Sequence, residues 1–311
     1  MTKHIPVLLK ESIEGLDVKK DGVYVDLTLG RGGHSKEILK RLTSGRLICF
    51  DKDETAIVES KQNLQEFTGK FTIIHDDFRN FRKHLDKLKI EKVDGILADL
   101  GVSSPQFDDA TRGFTYKEDS RLDMRMDKRQ KFSAYDLVNN YSLNQLVKVF
   151  REYGEDKYSF QIASKICKVR ETKPIETTFQ LVDIIKSCKP QKELLKKGHP
   201  AKQIFQAIRI EVNDELGALK DALNDALSSL KVGGRACFIT FHSLEDRMVK
   251  NAFTDVSKIE GTRHNVFSLP NEKDMPSYRI INNKVISASD EELENNPRSK
   301  SAKLRIIEKI K

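Results

Sequence analysis

The chain has 311 residues, 38% of them apolar and 33% charged, with 16 Gly, 8 Pro, 4 Cys and no Trp. These fractions exclude collagen-like, low-complexity and fully disordered chains, and the length suits one large α/β domain or two ordinary ones. Lys+Arg 55 against Asp+Glu 47 gives +8, a balance that favours a polyanionic partner such as nucleic acid. No run of about 18 apolar residues is present, so no membrane span is expected. The start, Met1-Thr2-Lys3-His4-Ile5-Pro6, lacks the apolar core of a secretory signal, which makes the cytoplasm the expected compartment. Cys49, Cys167, Cys188 and Cys237 form no C-x-x-C pair and no zinc spacing. They read as buried, reduced thiols.

The first hundred residues alternate strand and helix. Val23–Leu27 is an apolar run that ends in a glycine-rich turn, and Ser35–Leu42 has helical spacing. A second strand follows at Leu47–Phe50, a helix at Glu54–Leu64, a third strand at Phe71–Ile74 and a fourth at Gly95–Leu100. Strands joined by helical crossovers imply a parallel sheet with helices on its faces. From about Pro105 to Gln203 only helical patterns occur, clearest at Leu143–Phe150, Tyr158–Val169 and Phe179–Ser187. A long helical pattern from Ala201 to Leu230, closed by Gly233-Gly234, precedes a buried strand at Arg235–Phe241 and a helix at Leu244–Phe253. Lys258–Asn296 is polar and expected to contain a mobile surface loop, with final strands at Arg279–Ile281 and Leu304–Ile307. The expectation is an α/β domain built from residues 1–104 and 204–311, interrupted by an all-helical insertion over 105–203. Between Phe160 and Ile204 there are ten Lys/Arg and four Asp/Glu, and the tail from Pro297 carries six basic residues against one acidic. Such a run reads as a solvated helix face or as a phosphate grip.

Four strand ends carry candidate chemistry. Asp26-Leu27-Thr28-Leu29-Gly30-Arg31-Gly32-Gly33-His34-Ser35 follows the first strand and opens a helix. Its glycines permit positive φ and close approach of a ligand to the backbone, and a helix start presents unpaired N–H groups. It matches neither G-x-G-x-x-G nor the Walker lysine loop. It is similar to the nucleoside-binding turn of S-adenosylmethionine (SAM) dependent methyltransferases, and a purely structural tight turn fits it equally well. Asp51, closing the second strand, is placed to accept both ribose hydroxyls of a nucleoside, whether SAM or NAD, while Asp53 suits a helix cap. Phe78, in Asp76-Asp77-Phe78 after the third strand, can pack on an adenine face or simply join the core. Asp99, in Asp99-Leu100-Gly101-Val102-Ser103-Ser104-Pro105-Gln106, stands where amino-methylating enzymes carry an acid or amide. An exocyclic amine is a poor nucleophile, and a fixed acceptor on its N–H favours attack on a sulfonium methyl. The usual Asp/Asn-Pro-Pro-aromatic form is absent, so Asp99 could serve the amine or the cofactor, and Gln106 could hydrogen-bond either.

Six ordered motifs then carry a resemblance. They are His4-Ile5-Pro6-Val7-Leu8-Leu9, Gly32-Gly33-His34, Asp94 through Gln106, Arg121-Leu122-Asp123-Met124-Arg125-Met126-Asp127, Phe205 through Ile210 with Val212 through Leu216, and Phe241-His242-Ser243-Leu244-Glu245-Asp246-Arg247. Together they resemble the bacterial 16S ribosomal RNA small subunit methyltransferase H family, also called MraW, over essentially the whole chain. The resemblance implies a Rossmann-like class I SAM-dependent fold and transfer of methyl to N4 of a cytidine, conventionally numbered 1402, in the decoding centre of 16S rRNA. It implies SAM contacts from Gly32, Gly33, His34, Asp51, Phe78, Asp99 and Gln106, with Asp99 also catalytic. Read alone, His34 is a surface residue at a helix start. Arg121–Asp127 reads as a salt-bridged loop or as a wall of the cytidine pocket. His242 and Glu245 invite an acid/base role and His242 with Asp246 a metal, but a capped helix with Ser243 at its start and local pairs over Glu245–Arg247 explains them more simply. Methyl transfer from a sulfonium needs neither, so no metal and no essential general base are assigned. The substrate is expected within the 30S subunit or a late assembly particle.

Overall fold

The computed structural model describes residues 5–258 and 275–311. His4 lies outside them, as do residues 259–274 of the expected loop. In chain order come α1 (Leu9–Leu16), β1 (Val23–Asp26), α2 (Gly33–Arg41), β2 (Arg46–Asp51), α3 (Glu54–Asn63), β3 (Phe71–His75), α4 (Phe81–Lys87) and β4 (Val93–Asp99). Helices follow: α5 (Ser104–Asp108), α6 (Ala134–Asn140), α7 (Leu143–Glu152), α8 (Ser159–Arg170), α9 (Thr178–Ser187), α10 (Gln191–Leu194) and α11 (Lys202–Asn213). The chain closes with α12 (Glu215–Ser229), β5 (Leu230–Thr240), α13 (Ser243–Val256), β6 (Tyr278–Ile280), α14 (Asp290–Asn295) and β7 (Lys303–Lys309). No helix among the described residues is long and apolar enough to cross a membrane.

The chain divides into two compact units, Met1–Gly101 with Leu216–Lys311, and Val102–Glu215. The first holds one seven-stranded sheet in the order β3-β2-β1-β4-β5-β7-β6. β1 to β5 pair in parallel, and β7 runs antiparallel between β5 and β6. This is the doubly wound Rossmann-like arrangement, with order reversing between β1 and β4, the place where such sheets open a crevice at their carboxyl ends. Alternation along the strands sends side chains to two cores. Val25, Ile48, Phe50, Ile96, Ala98, Ala236 and Phe238 face one, and Tyr24, Leu47, Cys49, Leu97, Cys237 and Ile239 face the other. Cys49 and Cys237 are buried thiols as expected, but Cys167 and Cys188 are only part-buried.

Two expectations need correction. The long helix over Ala201–Leu230 is two helices, because Asp214 turns left-handed (φ 46°) between α11 and α12, a conformation Asp tolerates better than most residues. Gly233-Gly234 does not close a helix; both lie inside β5, where the register against β4 shifts and Gly233 takes φ 79°. The loop expected within Lys258–Asn296 falls on residues that include 259–274, outside the described residues, while the end of the stretch touches the N-terminal segment. Glu292 Oε1 accepts from Leu8 N–H at 2.8 Å, and Asn296 donates to Ile5 C=O at 3.0 Å.

The helical unit has its own core, with Leu137, Phe150, Ile166, Leu181 and Ile208 fully buried in it. Its Arg121–Asp127 segment is the salt-bridged loop that its alternating charges suggest: Arg125 pairs with Asp123 at 2.7 Å and Arg129 with Asp127 at 2.7 Å. Met124 is buried in the left-handed region (φ 58°), a strained place for a non-glycine residue. Asn213 holds it there, donating to Met124 C=O at 2.8 Å and accepting from Met126 N–H at 2.7 Å. Asn213→Ala leaves both backbone groups buried without these partners, and should cost about 2–4 kcal/mol in urea unfolding; a change below about 0.5 kcal/mol would contradict this role.

Candidate nucleoside-binding site

The site lies at the carboxyl ends of β1, β2, β3 and β4, all in the first unit. Asp26, 1% exposed, organises the turn after β1. One oxygen accepts from Thr28 N–H at 3.1 Å and the other from the Ser35 hydroxyl at 2.6 Å. Burial pushes this carboxyl up to about 6, and both oxygens are committed to shaping the loop. Gly32 takes φ 79° and has no side chain with which to cap α2. Gly33 is glycine for a different reason: a Cβ there would sit 2.2 Å from Pro6 Cγ.

The N-terminal motif thus fastens onto the glycine turn. His34 is buried rather than a surface residue, and its Nε2 lies 3.0 Å from Val7 C=O. A carbonyl can only accept, so Nε2 carries a proton. Nδ1 then faces Asp99 Oδ2 at 3.8 Å.

Asp51 accepts from Gly30 N–H on one oxygen and from Asp53 N–H on the other, both at 2.8 Å. Each oxygen keeps a lone pair toward the strand end. Burial pushes the carboxyl up to about 6, against the pull of the two backbone donors. Asp53 caps α3 through Thr55 N–H at 3.0 Å, as its position suggested. The β2 and β3 loops are tied together where Lys52 meets Asp77 at 3.4 Å. That places the part-buried Phe78 beside the Asp51 strand end, packed against one of the two cores. Asp76 is engaged with His84 at 2.7 Å and with Asn80 at 3.2 Å.

Asp99 is the least satisfied group of the site. Its N–H donates to the Thr28 hydroxyl at 2.6 Å, so the turn after β1 sets its backbone. A quarter of its side chain is open, yet Oδ1 is buried and has no hydrogen-bond partner among the described residues. Burial lifts its carboxyl well above the ordinary range, and the charges of Asp26, Glu245 and Glu292 push the same way. Gln106 belongs to the second unit, where it is buried and accepts from Ser103 N–H at 3.0 Å.

After β5 the helix starts at Ser243 as expected, and its cap is His242. Its imidazole accepts from Glu245 N–H, and Glu245 Oε2 accepts from Phe241 N–H at 2.8 Å and His242 N–H at 3.3 Å. Asp246 turns to Lys303 and Arg305 instead of pairing locally, at 3.0 and 2.7 Å. Sequence reasoning did not single out Pro6, Val7, Thr28 or Glu292, because each acts through contacts between segments far apart in the chain. For Pro6, Val7 and Thr28 the signal was only their presence in dense motifs without an assigned task; Glu292 lies outside those motifs.

The folded protein binds the Asp99 proton more tightly than the unfolded chain does. This carboxyl therefore supports folding fully below about pH 4, and that support is lost as pH rises through its raised native value. Asp99→Asn should accordingly raise Tm at about pH 8, with the gap closing toward about pH 4 in scanning calorimetry. A lower Tm for the variant at pH 8 would contradict the unpaired carboxylate.

The sequence profile of the MraW methylase family matches residues 1–310. A ribosomal RNA small subunit methyltransferase H of Exiguobacterium sibiricum is 51% identical over 311 residues, covering 100% of this chain and 99% of its own. Proteins of the same name from Streptococcus dysgalactiae subsp. equisimilis (50% identical, 100% of both chains) and Clostridioides difficile (51%, 99% of both) are similarly close. The chain belongs to the MraW methylase family.

Proposed function

We propose that this protein transfers a methyl group from SAM to N4 of a cytidine in 16S rRNA, the one conventionally numbered 1402 in the decoding centre. Family membership makes the protein a SAM-dependent methyltransferase of small-subunit rRNA. The choice of atom and nucleotide is what the resemblance to the family implies, and the site supports an exocyclic amine as the acceptor of the methyl group. The observation that carries it is the buried, unpartnered Oδ1 of Asp99 at the end of β4, an acceptor waiting for a donor such as an exocyclic amine.

The residues present fit the cofactor. The two remaining lone pairs of Asp51 suit a pair of ribose hydroxyls, and the start of α2 behind Gly32, which has no side chain to cap it, suits a carboxylate beside Gly33 and His34. Phe78 offers a ring face to a purine. Gln106 is assigned to the same ligand on its place in the Asp99–Gln106 motif. Bound SAM supplies a methyl group activated by a sulfonium leaving group. Asp99 accepts one amine N–H and holds the nitrogen so that its lone pair points at the reacting carbon. With SAM bound, its methyl would pass to this nitrogen as the C–S pair returned to sulfur, and the methylated amine would lose its extra proton to solvent. His34, its ring fixed through Nε2 by Val7, has its Nδ1 3.8 Å from the other Asp99 oxygen. The target base must leave any stack to reach a site at strand ends.

The helical unit supplies the phosphate grip. Lys165, Lys168, Lys173, Lys186, Lys192, Lys197 and Lys202 are all exposed on it. Such contacts hold RNA without reading sequence, so selectivity comes from RNA shape within the 30S subunit or a late assembly particle in the cytoplasm.

Incubation with tritiated SAM and 30S subunits lacking the modification should yield N4-methylcytidine on nucleoside mass spectrometry. Label in 5-methylcytidine, or in DNA alone, would overturn the proposal. In calorimetry Asp51→Ala should weaken SAM about tenfold to a hundredfold, as expected for losing hydrogen bonds to a charged acceptor. Tighter binding of NAD than of SAM would point to an oxidoreductase instead. Affinity for rRNA should fall linearly on a log–log plot against salt, and substituting two of the exposed lysines by alanine should make that slope shallower by about 1–2.

A further inference from the structure

Two buried side-chain atoms without hydrogen-bond partners stand at the ends of neighbouring strands, and they are of opposite kind. One is Asp99 Oδ1, an acceptor; the other is His242 Nε2. β4 and β5 are paired up to Asp99 and Ile239, and Leu100 N–H continues to Ile239 C=O at 3.0 Å. Past the ladder the two chains stay together, since a Cβ on Gly101 would lie 3.5 Å from the Phe241 ring. His242 follows three residues after Ile239, the register partner of Asp99, with its side chain only 9% exposed, and the charge of Glu245 beside it is felt at Asp99.

The tautomer of His242 follows from its cap. Nδ1 accepts from Glu245 N–H at 3.4 Å, so in the neutral ring the proton sits on Nε2. Glu245 Oε1 lies 3.2 Å from Nε2, off the line of a hydrogen bond, and its carboxylate favours the same tautomer. The site thus offers one fixed acceptor and one fixed N–H donor on adjacent strand ends. Cytosine presents the complement along its pairing edge: an amine that donates, and next to it a ring nitrogen that accepts.

We propose that His242 is a specificity-determining residue whose Nε2–H donates to the ring nitrogen N3 beside the target amine, while Asp99 Oδ1 accepts from the amine. This rests on the reading of Asp99 given above. One contact at the amine leaves the base free to rotate about it; the second fixes that rotation and so aims the nitrogen lone pair. Uracil in the same pose would set a carbonyl against Asp99 and an N–H against the His242 N–H, leaving four groups opposed. Adenine carries the same donor–acceptor pair as cytosine, so this reader refuses uracil and not adenine.

His242→Asn separates the cap from the reader, because Asn is a good N-cap residue but is too short to place a donor where Nε2 lies. The variant should keep the wild-type Tm and SAM affinity, while kcat/KM on 30S subunits falls about tenfold to a hundredfold. Wild-type protein acting on subunits with 3-deazacytidine at the target, which lacks the N3 acceptor, should lose the same factor. The two losses should not add when variant and analogue are combined. Activity of His242→Asn within twofold of wild type, additive losses, a parallel loss of SAM affinity, or full wild-type activity on 3-deazacytidine would each overturn the proposal. Absence of methyl transfer by wild-type protein to unmodified cytidine would instead sink the underlying reading of Asp99.

Discussion

A carboxylate held out of water with one oxygen unpaired is costly, and the fold at the carboxyl ends of β1 and β4 is arranged around such a group. Asp99 receives backbone support from the Thr28 hydroxyl and faces a histidine across 3.8 Å, but nothing among the described residues satisfies its Oδ1. Asp26, Glu245 and Glu292 add negative potential instead of relieving it. A structure that needed only to be stable would place an amide or an apolar side chain here. The unmet acceptor makes sense as a group reserved for a ligand, and the neighbouring contacts exist to keep it reserved. Val7 takes the Nε2 proton of His34, Glu292 takes the Leu8 N–H, and Pro6 fills the space that only glycine at position 33 leaves.

The two buried acids at the other strand ends differ from Asp99 in how they are used. Asp26 has both oxygens engaged by the turn it shapes. Asp51 has one backbone donor on each oxygen and room for one more on each. Three carboxylates with raised proton affinities thus fall into three tasks: building the loop, holding a diol, and meeting a nitrogen. Burial is common to all three, and the hydrogen-bond partners distinguish them.

Much of the first unit was legible from alternation. Val23–Leu27, Leu47–Phe50, Phe71–Ile74 and the two late strands lie within a residue or two of the observed ones, because each is an apolar run between polar turns. Parallel pairing of the first strands followed from the βαβ rhythm, and with it the placement of Asp51 and Asp99 at strand ends. What escaped were features set by long-range contact. The break at Asp214 depends on Asn213 reaching a loop nearly ninety residues away. The burial of His34 depends on the N-terminal segment, and the tethering of the chain near Asn296 depends on Ile5. Gly233-Gly234 looks like a helix stop, yet it serves a bulge whose need arises only from the partner strand. His242 is an N-cap of a kind residue preferences do not favour, so its role became visible only with the geometry of Glu245 beside it.

The most direct measurement is a crystal structure of the protein with S-adenosylhomocysteine and a short target RNA. The account predicts the nucleoside across Gly33, Asp51 and Phe78, with an Asp99 oxygen within hydrogen-bond distance of the cytidine amine. A ligand seated elsewhere, or an amine that leaves Asp99 Oδ1 as solitary as before, would contradict it.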